Sequence, residues 1–179
     1  KTYVPTNDVL VKHIVGLSYN QSFLDGKLNN VFFLKDYINH LKVEQTELSF
    51  ITGSDEVKPS NTQSYWGYGV GTRLTVSEPW AIKASYEHSV RLPIARELLG
   101  NGSTIYPNIA LRPESSENFN LGLFGNITLA PSHHLYYEVN GFIRLVDDYI
   151  KTTVKEQEGM MQYENVEAVH IKGVEGEGR

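Results

Sequence analysis

The chain has 179 residues, 40% apolar and 21% charged, with a formal net charge of -5, a pI near 5.7 and no cysteine. That composition excludes a disordered chain, a disulfide framework and thiolate metal sites. The scattered Lys and Arg give no basic run of the kind nucleic-acid binding needs, so no nucleic-acid partner is expected.

In chain order, residues 11 to 23 and 28 to 48 read as strands joined by the tight turn Leu24-Asp25-Gly26-Lys27. Asp-Gly there supplies the positive φ angles of a type I′ hairpin. Residues 49 to 63 form a longer connection. The clearest alternation runs from 65 to 76: Trp66, Tyr68, Val70, Leu74 and Val76 share one face with Thr72. Tyr65, three glycines, Arg73 and Thr75 take the other. A strand sends successive side chains to opposite faces, so one face is apolar and the other small or polar. After the short turn Ser77-Glu78-Pro79-Trp80, residues 81 to 91 set Ile82, Ala84, Tyr86 and Val90 against Lys83, Ser85, Glu87, Ser89 and Arg91.

A long connection, 92 to 115, follows. Residues 118 to 129 then set Phe119, Leu121, Leu123, Ile127 and Leu129 against Asn118, Asn120, Gly122, Asn126 and Thr128. The turn Ala130-Pro131-Ser132-His133 leads to residues 135 to 144, where Leu135, Tyr137, Val139 and Ile143 oppose Tyr136, Glu138, Asn140 and Arg144. Residues 155 to 160 connect to a seventh strand, 161 to 174. Several of these strands need about twice the roughly 5–6 residues of a soluble strand, whereas a tilted membrane-spanning strand needs ~9–11. Short turns alternate with long loops, the asymmetry of outer-membrane barrels. Trp80 at one short turn, Phe23 and Tyr136 near two others, and Tyr65, Trp66 and Tyr68 near a long loop are the candidates for interfacial aromatic girdles. The expected fold class is all-β: a long antiparallel up-and-down meander, part of a transmembrane β-barrel.

Four segments resemble the barrel of TonB-dependent outer-membrane receptors. Ser89-Val90-Arg91-Leu92-Pro93 with Arg96-Glu97-Leu98-Leu99-Gly100 resembles the family's "R-x-P…E-L". NIALRPESSENFNLG, residues 108 to 122, resembles "N-x-x-L-x-P-E-x-S-x-N-x-x-x-G". Phe142 to Ile150 resembles "F…D-x-I". Tyr163-Glu164-Asn165-Val166 with Ile171-Lys172-Gly173-Val174-Glu175 resembles "Y-x-N…G-V-E".

The resemblance implies a bacterial outer-membrane location and energy-coupled import of a scarce solute, with iron–siderophore complexes, cobalamin and glycans as the usual classes. It implies a parent barrel of ~22 strands, an N-terminal plug domain, and a TonB energy-coupling protein that acts through the missing N-terminal part. Residues 1–179 are expected to be a single segment of that barrel, about seven strands, with the plug and remaining strands absent. The first five residues carry no apolar secretion signal and 173–179 give no clean strand end.

On this reading Arg73, Lys83, Glu87, Arg91, Asn120, Glu138 and Arg144 face the lumen, and the opposite face meets outer-membrane lipid. In the loop 92–113, Arg96, Asn101, Tyr106 and Asn108 are the candidates for contact with transported solute. No cofactor, metal site or enzymatic activity is expected. His133-His134 and His88-Ser89 are neighbours on strands and point apart, so they neither chelate nor form a nucleophile pair. Asp147-Asp148 lacks the oxygen-ligand spacing of a calcium loop. The competing readings are a soluble β-sandwich or adhesin-type glycan-binding module, and a porin or autotransporter barrel. Unpaired strand edges also make an edge-to-edge dimer of the isolated segment an expectation.

Overall fold

A computed structural model describes residues 8–42, 60–101, 103–130, 133–155 and 159–179. Seven long strands dominate: β1 Val9–Phe23, β2 Leu28–Lys42, β3 Ser60–Ser77, β4 Trp80–Arg91, β6 Glu114–Ala130, β7 His133–Lys155 and β8 Met160–Gly178. A two-residue strand, β5 (Ile105–Tyr106), and a five-residue helix, α1 (Ala95–Leu99), lie in the connection between β4 and β6. All the strands form one sheet in the order β1-β2-β3-β4-β6-β7-β8-β5. Each long strand pairs antiparallel with the next long one, and only β5 runs parallel to its partner, β8.

The meander read from the sequence is therefore present, and its strands are longer than alternation alone marked. β7 spans 23 residues and β8 spans 19. Polar outer ends such as Asp147 to Lys155 do not alternate apolar with polar, so periodicity stops before the pairing does. The region 43–48, read as the end of the second strand, and most of the 49–63 connection lie outside the described residues. So do Pro131 and Ser132 of the third short turn. A single sheet with no second sheet packed on it, among the described residues, is not a sandwich.

The first hairpin turn carries positive φ at Leu24 (55°), Asp25 (52°) and Gly26 (86°). Lys27 N–H donates to Leu24 O at 3.1 Å and Gly26 N–H to Phe23 O at 3.2 Å. The left-handed stretch thus begins one residue earlier than the Asp-Gly pair indicates, and Leu24 accepts a conformation costly for a residue with a Cβ.

Register decides which residues share a face. Val70, Tyr86, Phe119 and Ile143 face one another across four strands, as do Thr72, Ala84, Leu121 and Gly141, and then Leu74, Ile82, Leu123 and Val139. These rows form the outer face. Between Tyr68 and Val76, Trp80 and His88, Phe119 and Ile127, and Leu135 and Ile143, no Asp, Glu, Lys or Arg stands on it. Eight residue steps span ~26 Å along a strand, or ~20 Å in height at the ~40° tilt usual for barrels. Lys172, opposite Ile143, is the exception on β8.

Aromatics border this band: Trp80 and Tyr137 pack edge to face at 5.1 Å at the turn end. Tyr68 stacks on His88 at 5.1 Å toward the loop end. Tyr65 and Tyr136, read as girdle residues, stand on the other face. Tyr65 pairs with Tyr37, and the hydroxyl of Tyr136 donates to Glu138.

The turn at Glu78 and Pro79 lies against β6 because Gly125 leaves room for it. A Cβ there would stand 1.7 Å from Pro79 O and 2.4 Å from the Tyr137 hydroxyl, which donates to Pro79 O at 2.8 Å. Gly125→Ala is expected to cost ~2–3 kcal/mol through overpacking against backbone. Gly71→Ala, whose Cβ would meet nothing within 4 Å, is the control expected to change little. Thermal unfolding of the two variants in the full-length protein checks this.

Candidate functional site

The inner face is the one over which segment 92–113 folds. At the loop end, Lys12 of β1 crosses to that segment and its ammonium donates to Leu92 O at 3.2 Å and to Pro93 O. Leu98 of α1 and Leu111 pack with Ile150 of β7, and Leu10, Leu41, Leu99 and Tyr163 close around them. This small core holds the connection inward. An extended loop would leave Leu98, Ile105 and Leu111, all buried here, in water.

Two polar clamps fix the segment at its ends. At its start, the Arg91 guanidinium grips Glu114 through Nε at 2.7 Å and Nη2 at 2.8 Å, and reaches both oxygens of Glu97 from Nη1 at 3.1 Å. Glu97 Oε2 accepts the Ile94 N–H at 2.8 Å, satisfying one unpaired donor at the start of α1. Glu114 Oε1 also accepts the Ile150 N–H at 2.7 Å. One arginine thus joins β4, α1, β6 and β7. The side chains of Glu97 and Glu114 are only 9% and 11% exposed. Glu114 lies five residues beyond Phe119, outside the apolar band. Burial alone would push its carboxyl up, but the Arg91 hydrogen bond, the Ile150 amide and the Arg91 charge together hold it below the usual range.

At the end of the segment, Asn165 of β8 accepts the Arg112 N–H at 2.9 Å and donates to Arg112 O at 2.9 Å and to Asp148 O at 2.7 Å. Arg112 Nη2 pairs with Asp148 Oδ1 at 2.5 Å. Asp148 carries a positive φ of 54°, an uncommon conformation for a non-glycine residue, and the Asn165 contact holds its carbonyl in place.

The four proposed solute contacts fare differently. Asn101 Oδ1 accepts from the backbone N–H of Ser103, Thr104 and Ile105 at 2.8–3.1 Å, and its amide donates to Thr104 Oγ1. It organises the loop. Asn108 Nδ2 donates to Tyr163 O at 2.8 Å and its Oδ1 accepts from Ala110 N–H. It pins the loop to β8. Tyr106 is half-buried in β5, opposite Gln162. Arg96 is exposed on α1.

The seven residues expected to face the lumen share one face of the sheet by register, the face over which segment 92–113 folds. Arg73 stands opposite Lys83, Glu87 and Arg144 both flank Asn118, Asn120 faces Ser85, Glu138 faces Phe124, and Arg91 faces Glu114. Glu87 pairs with Lys35 at 3.0 Å. His88 and Ser89 point to opposite faces: His88 Nδ1 meets Glu117 at 2.6 Å, while Ser89 meets Ser116 at 2.9 Å. Among the described residues, no group of three or more His, Asp or Glu could hold a metal.

Sequence reading missed the clamps as clamps. Glu97, Glu114, Asp148 and Asn165 all sit in the four quoted motifs, and the fold brings the motifs together around one loop. Arg112 falls at an unspecified position of the second motif, and Lys12 lies outside all four.

The solved structures it resembles share the architecture. The copper transporter OprC aligns with a TM-score of 0.77 at 16% identity, over 96% of this chain and 26% of that one. A double mutant of the Serratia marcescens hemophore receptor HasR, in complex with its hemophore HasA and heme, gives 0.69 at 20% identity, over 97% and 32%. The siderophore receptor PirA from Pseudomonas aeruginosa gives 0.56 at 14% identity, over 94% and 37%. The chain thus spans between 26% and 37% of these proteins. No curated protein sequence matches it. Residues 16–179 match the family described as TonB dependent receptor-like, beta-barrel. With that match covering nearly the whole chain, and the single long-stranded sheet beneath it, this chain belongs to the TonB-dependent receptor β-barrel family.

Proposed function

We propose that the chain is a section of barrel wall from an outer-membrane receptor that imports a scarce solute by energy coupling. The observation that carries this reading is the division of the sheet. One face holds an apolar band free of charge on four successive strands, and the other holds charged residues and a loop clamped over it. In a bilayer every backbone polar group must be paired within the protein, so strands cross only as a closed barrel. The outer face then meets lipid. The inner face, with Arg73, Lys83, Glu87, Arg91, Asn120, Glu138 and Arg144, lines the lumen and meets the plug domain. The TonB energy-coupling protein acts through a part of the parent outside this chain.

Iron–siderophore complexes, cobalamin and glycans are the solute classes, and the heme and siderophore receptors among the similar structures favour a chelated metal. Arg96 is the loop residue best placed to meet solute. Asn101 and Asn108 act behind it by shaping the loop.

The test uses the full-length parent in a Gram-negative host with and without the energy-coupling protein. Growth on an iron–siderophore, cobalamin or glycan as the sole source of iron, cofactor or carbon is scored. Growth that needs both proteins is the expected result. Uptake that persists without coupling removes the receptor reading and leaves a passive pore.

A further inference from the structure

We infer that the outer face carries a site for one glycolipid, with the sugar head on Tyr68, His88 and Glu117 and an acyl chain in the apolar recess beside them. The inference rests on reading this face as the lipid side of a barrel. The site is built on β3, β4, β6 and β7, each of which has both of its sheet neighbours within this chain. It lies on the face away from the folded loop and the lumen, so neither a plug nor further strands would cover it.

His88 and Glu117 are directly paired on β4 and β6, at the loop-end margin of the apolar band. Glu117 Oε1 meets His88 Nδ1 at 2.6 Å, and its Oε2 accepts from the Tyr86 hydroxyl at 2.6 Å. Each oxygen of an ionised carboxylate keeps a further lone pair, and the His88 and Glu117 side chains remain 23% and 34% exposed. The Tyr68 ring stacks on His88 at 5.1 Å. A charge on the lipid side is costly in hydrocarbon and cheap near the interface, which sets Glu117 at the level of lipid heads. A phosphate head would meet this carboxylate as a like charge, so the site selects a neutral head that offers hydroxyl donors. A sugar ring fits that demand: its C–H face packs on the rings of Tyr68 and His88, and its hydroxyls donate to Glu117. Beside this cluster opens a recess of about 1080 Å³. Tyr86 belongs to both, because its ring lines the recess 5.1 Å from Phe119 while its hydroxyl reaches Glu117. Ala84 and Gly141 flank Leu121 within the recess, and their small size leaves room for an acyl chain on either side of it.

The experiment purifies the full-length receptor in a sugar-free polyoxyethylene detergent and adds glucosyl-dipalmitoylglycerol or dipalmitoylglycerol. Native mass spectrometry counts the lipid retained at each concentration. The glucolipid is expected to bind one per receptor and at least about tenfold more tightly than dipalmitoylglycerol. Glu117→Ala is expected to bring the glucolipid down to the level of dipalmitoylglycerol without changing the latter, a result that misfolding would not give. A Cβ at Gly141 would stand 3.9 Å from Leu121 O, an ordinary contact. Gly141→Leu therefore fills the recess and is expected to weaken both lipids at least about fivefold. Equal retention of the two lipids by the native protein, or of the glucolipid by the native protein and Gly141→Leu, overturns the site. A receptor that still partitions to the outer membrane in that case leaves the barrel reading standing.

Discussion

Leu121→Arg is expected to destabilise the folded barrel by ~2–4 kcal/mol, while Asn120→Arg, one residue earlier, changes it by less than ~0.5 kcal/mol. Both side chains are exposed in the isolated sheet, Leu121 at 63%. If water covered both faces, an arginine would be tolerated equally at the two positions. The register places Leu121 between Ala84 and Gly141 in the middle row of the apolar band, and Asn120 beside Ser85 on the inner face. On the proposed barrel reading, hydrocarbon over Leu121 would make a guanidinium there costly, and water over Asn120 would make it cheap. Urea unfolding of the full-length variants in lipid vesicles measures the difference. Equal stability of the two would show that the outer face is wetted, and would end the membrane assignment.

Arg91→Ala is the second large effect, expected at ~3 kcal/mol, because it strands two buried carboxylates that share one cation. The consequence is local before it is global. Glu97 and Glu114 repel each other once Arg91 is gone, and α1 loses its hold on β6. Proteolysis within 92–113 should therefore accelerate before the barrel itself unfolds. Arg91→Lys is expected to recover only part of the loss, since an ammonium cannot grip both carboxylates with a planar fork.

The pH dependence follows from the same clamp. Glu114 has a folded-state pKa held below its unfolded value, so its contribution is complete above the ordinary carboxylate range. It is lost as pH falls through the depressed value. Loop protection should stay level from neutral pH down to about 5 and decline in stronger acid. In Arg91→Ala the acid-dependent part should shrink. A loop equally resistant in the native protein and in Arg91→Ala would show that the hydrophobic contacts of Leu98, Leu111 and Ile150 hold it alone.

The faces of β3, β4, β6 and β7 were legible in the sequence because each crosses between two environments with a period of two. Where both sides of a strand meet water or the folded loop, as in Asp147 to Lys155, alternation has no cause and the strand ends become invisible. Tyr65 and Tyr136 show the limit of reading aromatics by position: each neighbours an outward aromatic, Trp66 or Tyr137, and parity sends it inward. The clamps were half legible. Glu97, Glu114, Asp148 and Asn165 stand out as motif residues, but each meets its partner only once the fold brings separate segments together. Register shows that Arg91 reaches Glu114, and only the fold of the loop shows that Asn165 meets Arg112. Chemical type makes the loop's asparagines candidates for solute contact, and the structure shows Asn101 and Asn108 bonded to nearby backbone groups. Short polar side chains in a loop compete for local amides before they reach any ligand.

The parallel pairing of β5 with β8 has a mechanical consequence for assembly. Met161 N–H donates to Thr104 O at 2.9 Å, Asn108 donates to Tyr163 O, and Gln162 donates to Pro107 O. The chain from Thr104 to Asn108 thus lies along Met161 to Tyr163, at the edge of β8 away from β7. A strand laid against that edge zips only along Glu164–Gly178, 15 residues (178 − 164 + 1), still more than the ~9–11 that cross a bilayer. The folded loop is a register stop: it sets how high any strand laid against β8 could climb before its own side chains count.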